Sequence, residues 1–78
     1  MKGLIPLENE DFLSTYKNIG LRVLYYRKQK GLTQKELAQR TGLSSAQISF
    51  IECGKGSCKV NALFSIANAL CINITKLF

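Results

Sequence analysis

The chain has 78 residues, enough for one small domain, and a core of that size favours short helices packed by local contacts. Eleven basic residues stand against five acidic ones, a formal charge of +6 with no histidine. The excess is uneven: residues 1–18 carry a net −1 and residues 19–78 a net +7, a distribution suited to a polyanionic partner such as nucleic acid.

Other classes are excluded quickly. No apolar run approaches the ~20 residues that span a membrane. Three cysteines, Cys53, Cys58 and Cys71, cannot all pair within one chain, and no secretory signal opens it, so a reducing cytoplasm is expected. Without histidine, a zinc site would need a ligand from elsewhere, so no metal or other cofactor is expected. The acidic residues form no catalytic pair, and no enzyme is expected.

In chain order, residues 1–18 form an N-terminal arm. Pro6 blocks helix before it, and Asn9 is a suitable cap for "EDFLSTYKNIG". Phe12, Tyr16, Ile19 and Val23 keep helical spacing, so the arm either extends the first helix or forms a separate turn that breaks near Gly20. The folded region, residues 19–78, opens with "NIGLRVLYYRKQKG", a helix closed by Gly31, with Ile19, Val23 and Tyr26 facing inward. "LTQKELAQRTG" follows, where Thr33 and Glu36 stand in capping-box spacing and Gly42 stops the helix.

The third helix, about residues 44–52, is capped by Ser44, with Ile48 and Ile51 as its buried pair. At about 100° per residue, Ser45, Ala46, Ser49 and Phe50 face away from those isoleucines. That face is small and nearly uncharged, where most exposed helices carry Lys and Glu. A basic loop, "GKGSCK", leads to a fourth helix, "VNALFSIANAL", with Leu63, Ile66, Ala67 and Leu70 inward. "INITKLF" closes the chain as a short helical turn led by Asn73.

Two short helices joined at Gly42, with small Ala38 at their crossing and Leu37, Leu43, Ile48 and Ile51 between them, are the elements of a helix-turn-helix. Over residues 19–78 the sequence resembles the phage repressor/Cro-type regulators, the xenobiotic-response-element family. The matching residues are "LTQKELAQRTGLSSAQISFIECGKG", with "IGLRVLYYRKQKG" before and "LFSIANALCINITKLF" after.

The resemblance implies an all-α, five-helix, lambda-repressor-like DNA-binding domain whose third helix lies in the major groove of double-stranded DNA. It implies Ser45, Ala46, Ser49 and Phe50 at base-facing positions, with Ala46 and Phe50 able to meet thymine methyls. It implies Gln34, Ser44, Gln47, Lys55 and Lys59 at the phosphates, and a structural ion pair between Arg27 and Glu52. A homodimer is expected, since one recognition helix alone binds weakly. Candidate surfaces for it are "INITKLF" and the arm around Phe12, Leu13 and Tyr16, with Leu24 and Tyr25 beside it.

So small a chain leaves no room for an ordinary ligand pocket, and no small-molecule ligand is expected. Four departures from the family stand out: Phe50 where polar or basic residues are more usual, Cys58 and Lys59 at the cap of the fourth helix, Cys71 where glycine is common, so that a left-handed turn there would be strained, and Thr41 in place of a larger aliphatic residue. Exposed, apolar Phe50 supports an alternative reading, a protein-interaction module of the antitoxin or phage-adaptor kind that docks a protein on the same face.

Overall fold

The computed structural model describes residues 9–56 and 58–78, with side chains from residue 14 onward. Four α-helices, α1 (Asn9–Gln29), α2 (Gln34–Thr41), α3 (Ser45–Glu52) and α4 (Val60–Leu70), precede a 3-10 turn, Ile74–Leu77. No strand occurs among the described residues. The fifth helix expected from the resemblance is therefore only this turn, four residues long. It is closed by bonds to the third residue back, Lys76 N–H to the Asn73 carbonyl and Phe78 N–H to that of Thr75. A segment that short closes a single turn and gains nothing from the cooperativity that favours longer helices.

The first helix runs 21 residues without a break at Gly20. A Cβ on Gly20 would lie 2.3 Å from the Ile51 carbonyl oxygen and 2.8 Å from that of Glu52. The bare Cα therefore lets α1 cross directly over the backbone at the end of α3. The glycine that lowers helix propensity by about 1 kcal/mol is required by this crossing.

Ile19 and Val23 of α1 join Leu37 and Ala38 of α2, Ile48 and Ile51 of α3, and Leu63, Ile66, Ala67 and Leu70 of α4 in one core. Leu77 of the 3-10 turn is fully buried in the same core, which fixes the turn between α4 and α1. Arg22 of α1 donates to the Phe78 carbonyl from the outside. Tyr26 and Leu43 are half-buried at the edge. Thr41, where a larger aliphatic side chain is common, uses its hydroxyl instead. It donates to the Leu37 and Ala38 carbonyls at 3.0 and 3.1 Å and accepts from Leu43 N–H at 3.3 Å, so it helps close α2.

The ends of α1 and α4 share one motif. Leu32 N–H bonds to the Arg27 carbonyl and Gly31 N–H to that of Lys28, and the same pair recurs as Ile72 to Ala67 and Cys71 to Asn68. At the second site the left-handed position is held by Cys71, with φ 58° and ψ 39°. The strain expected at Cys71 is thus present in the fold. Lys59, at the cap of α4, makes no side-chain capping bond.

Candidate nucleic-acid interface

Two capping boxes set the helix-turn-helix. Thr33 Oγ1 accepts from Glu36 N–H at 3.0 Å while Glu36 Oε1 accepts from Thr33 N–H at 2.8 Å. Those bonds hold the Glu36 carboxyl below its usual range, the backbone N–H contributing most. Ser44 and Gln47 repeat the arrangement: Ser44 Oγ accepts from Gln47 N–H at 3.1 Å and Gln47 Oε1 from Ser44 N–H at 2.8 Å. Between the boxes the chain turns at Gly42, whose φ of 77° an L side chain resists.

The end of α3 is tied to α1 by charge. Arg27 donates from Nε to Glu52 Oε2 at 2.5 Å and from Nη2 to Oε1 at 3.0 Å, with both side chains buried. Its third nitrogen, Nη1, donates to the Leu32 carbonyl at 2.6 Å. Gln34 Nε2 adds a bond to Glu52 Oε1 at 2.9 Å. Glu52 is the only charged residue of α3, so burying it leaves the exposed side of the helix without formal charge. The elements before and after α3 carry exposed cations: Lys35 and Arg40 on α2, and Lys55 and Lys59 in the stretch that follows α3.

The sequence-expected residues separate into groups. Ser45, Ala46, Gln47 and Phe50 are exposed, while Ser49 is half-buried. Ala46 and Phe50 also turn toward α4, lining an open groove of about 600 Å³ with Leu43, Cys58 and Ala62; Ser45 and Ser49 do not. A groove of that volume is within the ordinary size range of ligand sites, so the size argument against a pocket fails. Burial beside this groove pushes the Cys58 thiol up.

The Phe50 ring is 45% exposed and lies over the loop, since a Cβ on Gly56 would sit 3.3 Å from its Cζ. Gln34 is half-buried and bonded within the fold. Its amide is committed to Glu52, a bond across 18 positions that local pattern does not reveal. Sequence reading also assigned Gln47 only to phosphate, although Ser-x-x-Gln is itself a capping-box spacing. Phe12 and Leu13 lie outside the residues whose side chains are described, and Tyr16 is half-buried.

A short capped helix with a neutral outer face, held by a buried ion pair inside a cationic all-helical fold, defines a helix-turn-helix domain of the repressor type. The chain belongs to the HTH_3 helix-turn-helix family of DNA-binding transcriptional regulators, whose model matches residues 23–77. The expected kinship with phage repressor/Cro-type regulators is thereby established.

Among its relatives is the uncharacterized HTH-type transcriptional regulator y4dJ of Sinorhizobium fredii, 34% identical over 61 residues, 78% of this chain and 79% of that one. The restriction-modification controller protein C.AhdI of Aeromonas hydrophila superposes with a TM-score of 0.80 at 29% identity, covering 83% of this chain and 98% of the other. The clp gene regulator ClgR of Corynebacterium glutamicum gives 0.77 at 25% identity, covering 81% and 67%. No helix of the described residues is long and apolar enough to cross a membrane.

Proposed function

We propose that the chain is a sequence-specific, double-stranded DNA-binding transcriptional regulator of the cytoplasm that acts as a homodimer and lays α3 in the major groove. The observation that carries this reading is the burial of Glu52 by Arg27. It removes the one charge of α3, and the small side chains left outside let the helix approach base edges between two phosphate walls.

Ser45, Ala46, Ser49 and Phe50 are the base-facing set. The serine hydroxyls donate to or accept from several bases, and Ala46 and the open side of Phe50 suit thymine methyls. Ser44, Gln47, Lys55 and Lys59 hold phosphates. Ser44 Oγ accepts within the cap and keeps its O–H to donate; Gln47 likewise accepts through Oε1 and keeps its Nε2 hydrogens. Gln34 has one Nε2 hydrogen on Glu52, and the amide's second hydrogen is the one that would donate to phosphate.

Each protomer offers one recognition helix, so two copies reading half-sites about one DNA turn apart supply the missing contacts. Among the described residues, Leu21, Tyr25, Val60, Phe64 and Phe78 are the large apolar side chains exposed outside α3, and a second copy would cover part of that surface. Titrating the labelled protein with a duplex tests the reading. Amide shifts should concentrate on Ser44–Phe50 and Lys55; shifts confined to α1 and α4 would overturn the assignment. The same face perturbed by an acidic protein and by no duplex would favour the protein-docking alternative, to which exposed Phe50 lends itself.

A further inference from the structure

We infer that Lys17, on the N-terminal half of α1, is a phosphate contact that works with Lys55, which makes the N-terminal extension part of the DNA-binding surface. The inference rests on the proposed function and adds to it a residue six positions before the family match begins.

The link is the packing of Gly54 on Lys17. A Cβ on Gly54 would lie 2.6 Å from Lys17 Cα and 2.9 Å from its Cγ. Gly54 also has φ +64°, so neither its conformation nor its surroundings admit another residue without strain. The loop leaving α3 is therefore pressed onto α1 at Lys17, and Lys55 follows directly. Both lysines are exposed.

Electrostatics at this junction favour an anion. Lys17 has no carboxylate three or four positions away on its helix, where Leu13, Ser14, Gly20 and Leu21 stand. The folded body has two acidic residues, Glu36 in its capping box and Glu52 on Arg27, and both are committed elsewhere. Among the described side chains nothing neutralises Lys17 or Lys55.

Geometry supplies the partner. The eight residues of α3 rise about 12 Å, close to the ~12 Å width of the major groove, so both ends of a helix seated there come within reach of the sugar-phosphate walls. The α2 turn and Ser44 stand at one end, and Lys17 with the Lys55 loop stands at the other. A phosphate held between two ammonium groups from different elements fixes how deeply α3 sits.

The test is the salt dependence of duplex binding by the full chain, followed by fluorescence anisotropy on a labelled random-sequence duplex and compared for wild type, Lys17→Gln and Lys17→Arg. Glutamine keeps the Cβ–Cγ stem that packs on Gly54 and removes only the charge. Lys17→Gln should flatten the slope of log affinity against log salt by about 0.9 per protomer, a loss of roughly threefold less over a fourfold rise in salt, and Lys17→Arg should restore it. An unchanged slope would overturn the inference, even if affinity or thermal stability fell, because a purely structural lysine leaves the number of phosphate contacts as it was. A wild-type chain that binds no duplex at low salt would instead sink the DNA-binding proposal beneath it.

Discussion

Arg27 and Glu52, 25 residues apart, meet in a buried two-bond ion pair that joins the last turn of α1 to the end of α3. Removing one partner strands the other in a buried site, so Arg27→Ala should cost about 3 kcal/mol or more. It would also leave the Leu32 carbonyl without its donor. Lysine, lacking the planar fork, should rescue only part of the loss. Urea denaturation of the three proteins measures this, and a loss below about 1 kcal/mol for Arg27→Ala would contradict it.

Gly20→Ala sets two effects against each other. Alanine gains about 1 kcal/mol in helix propensity, but its Cβ would fall 2.3 Å from a backbone oxygen of α3, which no side-chain rotation can relieve. The clash should win, with a net loss of about 2 kcal/mol or more by the usual scale of overpacking. A thermal midpoint equal to or above wild type would show that α1 and α3 do not cross this closely.

Cys71→Gly should act in the opposite direction. The left-handed position after α4 is strained for cysteine, and glycine relieves about 1 kcal/mol there. For a domain of this size the thermal midpoint should rise by roughly 4–8 °C. No rise would mean that the turn after α4 is not left-handed.

The pH response of the second helix follows from Glu36. Its folded-state value is lowered by the Thr33 bonds, so the unfolded chain binds the proton more tightly than the folded one. The contribution is present above the unfolded value near 4.5 and is lost as pH falls through the folded one. Comparing thermal midpoints of wild type and Glu36→Gln from pH 7 down to acid, the wild-type advantage should shrink below about pH 4.5 and vanish in stronger acid. A difference that stayed constant with pH would rule out a capping role for the charge.

Features set by near neighbours were legible in the sequence. The Thr33–Glu36 box, the Gly42 turn, the Ile48 and Ile51 pair and the strained Cys71 all follow from residues within one or two turns. What escaped depends on contacts made across the fold. Gly20 looks like a helix breaker until Ile51 and Glu52 are placed against it, 31 and 32 positions later. The bond from Gln34 to Glu52 spans 18 positions and shows only once the helices are packed. The terminal segment reads as a short helical turn led by Asn73 and is one, a 3-10 turn that buries Leu77, shorter than the fifth helix that the resemblance implies. The groove beside Phe50 is lined by residues of α3, the following loop and α4 together, which no local pattern encodes.

Selection of binding sites from a random double-stranded library, run in parallel for wild type and Phe50→Ala, tests most directly whether the outer face of α3 reads DNA. A two-fold-symmetric consensus should emerge, with a base preference in each half-site that Phe50→Ala relaxes while the rest is retained. Enrichment of no sequence by the wild-type protein would contradict a sequence-reading role for Ser45, Ala46, Ser49 and Phe50.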